Sequence, residues 1–255
     1  MKKIISLSSL CGKYLDDIVE IPTSTGFSAI EWDLNYIPPT LNVSRIQSLK
    51  NSLSVNGIDV RYHLPYSYIE IGHANSGIRN YSMSTVTYFL DFIKLIGGTV
   101  AIIHVGYCEN SSFHETHRNL KKIADYAQTL GISVCVENLV KGLTTSITNL
   151  KAFTEIDNVY LCLDTGHAQV VESKSTGFCD KLRTMIETVL HSHVYYSEDS
   201  KYNHIAFDDN TFASSKLFNA LVKSSCPWFT MELDTKTEQL CQAKKMEAYL
   251  LKTLT

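Results

Sequence analysis

Residues 132–139 read ISVCVENL and residues 159–168 read VYLCLDTGHA. Each is a short run of β-branched and aliphatic side chains that ends on a carboxylate, Glu137 in the first and Asp164 in the second. Apolar runs of this length, too short for a buried helix and bounded by polar residues, read as buried strands. The pattern recurs along the whole chain, at 3–8, 27–34, 58–64, 99–105, 133–137, 159–164, 191–196 and 228–233. Between these runs lie longer segments, among them 43–56, 82–96, 113–130 and 237–254, whose apolar residues repeat at three- and four-residue intervals, the helical period. Gly57, Gly97-Gly98 and Gly131 follow three of them, where a left-handed residue ends a helix before the next strand. Asn42 and Ser112 are placed to cap helix starts.

Strands alternating with helices generate a parallel sheet through right-handed crossovers. Eight such units in 255 residues, with no Pro- or Ser-rich linker and no shift in composition, predict an α/β fold. The expected form is a (βα)8 TIM barrel built as a single domain over residues 1–255. An open dinucleotide-binding sheet is the competing arrangement, but the first strand is followed by SSLCGKY, residues 8–14, without the glycine spacing that cradles a pyrophosphate.

The composition is that of an ordinary globular protein, 44% hydrophobic and 19% charged. A net charge of -3, with five arginines among 23 cationic residues, gives no general basic field and so argues against a general nucleic-acid binder. The start, MKKIISLSS, has the charge of a signal peptide, but its apolar run is short and broken by serines, and it reads as the first strand. No uncharged apolar run approaches the roughly 18 residues that a membrane helix needs, so no membrane association is expected. The seven cysteines, at 11, 108, 135, 162, 179, 226 and 241, are odd in number and form no C-x-x-C pair, which fits reduced thiols in a cytoplasmic protein.

The chemistry is carried by position. Glu31, His63, His104, Glu137, Asp164 with His167, His193 and Glu232 stand at the C-terminal ends of seven successive strands. In a closed barrel these ends converge on one face, where active sites form, so residues about 30 positions apart become neighbours. One strand-end carboxylate is ordinarily a solvated terminus. Three at one barrel mouth repel one another, and a divalent cation removes that repulsion. With His193 the set is three carboxylate oxygens and one nitrogen, which suits manganese, zinc or cobalt better than calcium. Trp32, Tyr66, Tyr107 and Tyr196 are aromatic residues expected near the mouth. His73, His114 and His117 read as surface or helix residues, and His191, two before His193, has no assigned role.

The motifs GFSAIEWDL, RYHLPY, IIHVG, VCVENL, LCLDTGHA, HSHV and FTMELD together resemble the xylose-isomerase-like superfamily of TIM barrels, over nearly the whole chain. That superfamily holds sugar isomerases and epimerases and the endonuclease IV group. The epimerase branch implies metal ligation by Glu137, Asp164, His193 and Glu232, with the two glutamates moving a substrate proton. Under that likeness Glu137, Glu232 and His167 are the catalytic candidates, the metal being manganese, zinc or cobalt. The endonuclease branch implies extra metal ligation by His63, His104, His167 and His204. In that branch a carboxylate stands where this chain has Tyr202, and across the family an Asp often soon follows the strand-seven histidine, where this chain reads Val194-Tyr195-Tyr196-Ser197.

Two activities follow as expectations. The first is a metal-dependent isomerase or epimerase of a sugar, sugar phosphate or related hydroxy-carbonyl compound, with a small carbohydrate-like partner. The second is a multi-zinc phosphodiesterase acting on nucleic acid. A catalytically silent barrel that serves only as a binding module is a third reading, disfavoured by the accumulated carboxylates. The oligomeric state stays open.

Overall fold

Side chains alternate across each strand, and in this chain the alternation separates an apolar outer face from an inner face that ends in polar groups. The computed structural model describes residues 3–9, 17–36, 43–201 and 203–254. The first seven barrel strands are β1 (Ile4–Ser8), β2 (Ala29–Asp33), β3 (Asp59–His63), β4 (Val100–Ile103), β5 (Ser133–Glu137), β6 (Val159–Asp164) and β7 (Val189–Val194). A short antiparallel hairpin, β8 (Ser197–Glu198) with β9 (His204–Ile205), precedes the last barrel strand, β10 (Trp228–Met231). The order β1-β10-β7-β6-β5-β4-β3-β2 closes on itself with every barrel pair parallel, so the expected TIM barrel is the fold.

The helices are α1 (Asp17–Thr25), α2 (Val43–Val55), α3 (Ser76–Ile96), α4 (Phe113–Leu130), α5 (Ile147–Thr154), α6 (Thr165–Lys174), α7 (Phe178–Arg183), α8 (Asp209–Ser214), α9 (Lys216–Lys223) and α10 (Lys236–Leu254). Outward residues such as Val134, Val136, Leu161 and Leu163 join Leu120, Ile123, Leu150 and Phe153 of the helices in the main core. Inside the barrel a smaller cluster, Val100, Ile102, Cys135 and Cys162, fills the β4–β6 side. The opposite side is polar, with Ser6, Glu31, Arg61, His191 and Thr230 in contact. Cys135 and Cys162 thus act as small hydrophobes, and all six described cysteines are free.

Several boundaries differ from the sequence reading. Strand β7 begins at Val189 and ends at Val194, two residues earlier than expected, because Tyr195 turns out of the sheet and binds the start of α6 instead. Helix α3 begins at Ser76, where the side chain of Asn75 accepts hydrogen bonds from the N–H groups of Gly77 and Ile78. Ser112 caps α4 as expected, and Gly97 and Gly131 take left-handed φ values of 95° and 73° at the ends of α3 and α4. Asn42, Tyr202 and Cys11 lie outside the described residues. Among the described residues no helix is long and apolar enough to cross a membrane.

The turn from β6 into α6 sets the floor of the barrel mouth. The Thr165 hydroxyl donates to the carbonyl of Tyr195 at 2.6 Å and accepts from the Tyr195 N–H at 3.3 Å. Tyr195 is fully buried, and any Cβ on Gly166 would overlap its ring. A glycine is required there by close approach. Gly166→Ala is expected to lower stability by about 1–3 kcal/mol through overpacking. Thermal melting against the unsubstituted protein checks this; an unchanged melting temperature would show that the Tyr195 ring gives way freely.

Candidate functional site

The ends of β5 and β6 are locked together by one side chain. Asn138 donates from Nδ2 to the carbonyl of Asp164 and accepts through Oδ1 from the Asp164 N–H, both at 2.9 Å. It extends the ladder by a residue and sets Glu137 beside Asp164. Asp164 then caps α6, accepting through Oδ1 from the His167 N–H at 2.6 Å, which leaves Oδ2 free to face inward. The carbonyl of Asn138 lies 3.0 Å from His167 Nδ1. Glu137-Asn138 of VCVENL and Asp164-Thr165-Gly166-His167 of LCLDTGHA are two halves of one structural device.

Around this device the four residues read as metal ligands meet. His193 Nδ1 lies 2.9 Å from Glu232 Oε2, 3.5 Å from Glu137 Oε2 and 3.5 Å from Asp164 Oδ2. His193 and Asp164 are fully buried, and neither His193 Nδ1 nor Asp164 Oδ2 makes a hydrogen bond. Such orphaned atoms are rare in a folded interior unless an ion satisfies them. The donor set, three carboxylate oxygens and one imidazole nitrogen, fits a divalent ion. Glu137, Asp164 and His193 form one group of ligand atoms lying within 4.8 Å of one another.

Two further groups adjoin it. His63 Nε2 and His104 Nε2 approach the same atom, Glu137 Oε2, at 3.2 and 3.1 Å, and the ligand atoms of the three residues lie within 4.8 Å of one another. His63 Nδ1 lies 2.9 Å from the carbonyl of Leu64, which orients its ring. On the other side, His167 Nε2 lies 3.2 Å from Glu198 Oε1 and His204 Nε2 lies 4.0 Å from it. Asp234 accepts from the His204 N–H at 3.0 Å and pairs with His204 Nδ1 at 3.1 Å. His204, read from sequence as a loop residue, sits on β9, so the hairpin brings it to the site.

Charge at the site is balanced by histidines. Burial works to raise the pKa of Glu137 and Glu232, but His104 and His193 hold Glu137 well below the ordinary carboxylate range and His193 holds Glu232 below it. Asp164 is pushed up by burial. Burial disfavours charge on His193, yet the carboxylates of Glu232, Glu31 and Glu137 around it hold its pKa well above the ordinary histidine value. Burial also opposes charge on His63, but the bond to Glu137 raises it to about 9. His104, on the same oxygen, is pushed down by burial, since one carboxylate oxygen sustains one imidazolium. Protons on imidazoles offset the carboxylates where a divalent cation would do so.

Above the quartet opens a cavity of about 1200 Å³. Glu137 and Glu232 reach it, with His63, His104, His167, Glu198 and His204, whereas Asp164 and His193 lie beneath its floor. Tyr66, stacked on His104, and Tyr107 line the wall. Trp32 does not: it follows Glu31 on β2, points outward and packs between Tyr62 and Phe92. Tyr196 packs on Phe207. His73, read as a surface or helix residue, lies in the β3–α3 loop and lines the cavity, whereas His114 and His117 lie on α4 as expected.

Sequence reasoning missed Glu198, Asp234 and Asp33. Asp33, two residues beyond Glu31 on the same face of β2, is buried at the cavity edge with Oδ2 unpartnered, and burial pushes it up to about 6. That i, i+2 spacing was the signal. Glu198 carried none, because its position depends on the hairpin.

A 133-residue segment is 29% identical to an uncharacterised protein of Methanocaldococcus jannaschii, covering 52% of this chain and 57% of that one. The chain thus spans little more than half the length of that relative. Among solved structures, a D-tagatose 3-epimerase-like protein superposes with a TM-score of 0.78 at 18% identity, covering 99% of this chain and 97% of the other. An L-ribulose 3-epimerase superposes with a TM-score of 0.74 at 17% identity, covering 100% and 95%. At such identities the likeness is one of fold. The model of the xylose isomerase-like TIM barrel family matches residues 21–251, and the chain belongs to that family.

Proposed function

We propose that this protein is a divalent-metal-dependent isomerase or epimerase of a sugar, sugar phosphate or related hydroxy-carbonyl compound. The observation that carries the reading is the convergence of Glu137, Asp164 and Glu232 on the unbonded Nδ1 of His193, directly beneath a cavity large enough for a sugar. The structural neighbours named above include sugar 3-epimerases, which agrees with it.

Glu137, Asp164, His193 and Glu232 would hold the ion. When bound there, a divalent ion supplies Lewis acidity, which polarises a carbonyl and acidifies the adjacent C–H. Glu137 and Glu232 are the two carboxylates of the quartet that reach the cavity, and their histidine neighbours keep both ionised, the state a general base needs. One ionised glutamate would take the proton from the hydroxyl-bearing carbon beside the carbonyl; the other, after taking up a proton from solvent in the cavity, would deliver it to the opposite face, and the first would then release its proton to solvent. His167, fixed through its Nδ1, faces the cavity and is placed to bond a substrate oxygen. Asp33 and Glu198 add acceptors for hydroxyl groups, and Tyr66 offers an apolar face for a ring.

A second reading, a multi-zinc phosphodiesterase, is favoured by one observation: His63 and His104 converge on Glu137 Oε2, so that a second ion could share that carboxylate. Glu198, near His167 and His204, supplies a carboxylate on that side of the site. The net charge of -3 gives no general attraction to a phosphate backbone.

The two readings separate in one assay. Protein supplied with Mn2+ or Co2+ and a panel of ketoses and ketose phosphates in D2O is expected to form epimers carrying deuterium next to the carbonyl, and Glu232→Gln is expected to reduce this at least a hundredfold. Cleavage of abasic DNA by zinc-loaded protein, with no deuterium uptake from any sugar, would overturn the isomerase reading. Metal affinity should also depend on pH. Because the folded state raises the His193 pKa, the ion must displace a proton, so affinity should climb with pH by up to about tenfold per unit for each proton released. Titration of Mn2+ between pH 6 and 8 reads this; a flat profile would contradict proton displacement.

A further inference from the structure

The polar half of the barrel interior contains two groups that can only donate hydrogen bonds. One is Arg61 on β3, whose guanidinium lies over the ring of Trp228 at 4.5 Å. The other is the indole N–H of Trp228, which donates to Ser6 Oγ at 2.9 Å and to Thr230 Oγ1 at 3.1 Å. Between them and the quartet stand His191 and Glu31.

Arg61 Nη1 donates to the carbonyl of Leu190 at 2.6 Å and approaches His191 Nδ1 at 3.3 Å. An arginine has no lone pair to offer, so His191 Nδ1 must be the acceptor and its proton must sit on Nε2. His191 Nε2 in turn lies 2.5 Å from Glu31 Oε2, and the same oxygen lies 3.0 Å from His193 Nε2. A carboxylate accepts, so both imidazoles present N–H there. The Thr230 hydroxyl, already accepting from Trp228, donates to Glu31 Oε2 at 3.3 Å. Glu31 is buried at 1% exposure, and the groups packed on its Oε2 are donors.

We propose that Arg61, acting through His191 and Glu31, fixes the proton of His193 on Nε2 and thereby presents Nδ1 as the ligand atom toward Glu137, Asp164 and Glu232. The inference rests on the metal reading of the quartet and adds three positioning residues to it, which act on His193 through its Nε2 side. A metal-ligating histidine that donates its other N–H to a carboxylate is held in one orientation and made more basic. Here the carboxylate is itself held by a second histidine whose tautomer a half-buried arginine dictates. The relay runs through the barrel interior from β3 to β7 and β2, and it gives a role to His191, buried below the cavity, and to Glu31, at the cavity's base.

The test uses Zn2+ as a diamagnetic probe. In zinc-loaded wild-type protein, long-range 1H–15N correlation spectra of the imidazoles should show His191 protonated on Nε2 with a bare Nδ1, and His193 protonated on Nε2 with Nδ1 on the metal. Glu31→Gln keeps the shape but removes the charge, and should weaken Zn2+ binding by about ten- to a hundredfold, the range seen when such outer partners are lost. Its circular dichroism and metal-free melting should remain those of the wild type. His191 found protonated on Nδ1, His193 bound through Nε2, or a Zn2+ affinity in Glu31→Gln within twofold of wild type would each overturn the relay. If the variant does not fold, the wild-type spectra alone decide. A wild type that takes no Zn2+ would instead defeat the metal reading itself, an outcome distinct from the others.

Discussion

Everything at the mouth of this barrel depends on one unfavourable concentration of charge. Glu137, Asp164 and Glu232 place carboxylate oxygens within 3.5 Å of a single buried nitrogen, His193 Nδ1. In a low-dielectric interior such a group is costly unless a cation or a ring of donors compensates it. The surrounding histidines compensate it in part, which is why His193 and His167 are held above the ordinary histidine range. Two atoms at the centre, His193 Nδ1 and Asp164 Oδ2, nevertheless keep unused bonding capacity.

The fold holds this arrangement through backbone geometry. Closure of the barrel brings β5, β6, β7 and β10 side by side, and the register pairs Glu137 with Cys162 and Asp164 with His193. Asn138 then ties the end of β5 to Asp164, and Thr165 ties the start of α6 to Tyr195. Each of the four residues is thus anchored on a strand end or a helix cap, which gives the positional precision that a loop does not. The apolar plug of Val100, Ile102, Cys135 and Cys162 fills one half of the barrel below the site, while Arg61, His191 and Glu31 fill the other.

Most of this frame was legible in the sequence, because strand periodicity and glycine-ended helices mark the units and barrel topology then makes their ends neighbours. Glu137, Asp164, His193 and Glu232 could be grouped on that logic before any coordinate was known, and the strands carrying Glu137 and Asp164 match their expected limits. What stayed hidden has a common physical cause. Glu198 reaches His167 only because a two-residue strand folds back on another, a hairpin too short to leave periodicity. Trp32 was expected at the mouth, but it lies one residue from Glu31 and so on the opposite face of β2, where it packs into the core. The role of Arg61 lay across the barrel from its partner His191, 130 residues away, and no local pattern announces that contact.

The account turns on where a divalent ion binds. The most direct measurement is anomalous diffraction from crystals soaked in Mn2+, collected on both sides of the manganese absorption edge. The account predicts an anomalous peak enclosed by Glu137, Asp164, His193 Nδ1 and Glu232. Crystals that show no peak among these four residues at millimolar Mn2+, or show manganese only on the surface, would contradict it.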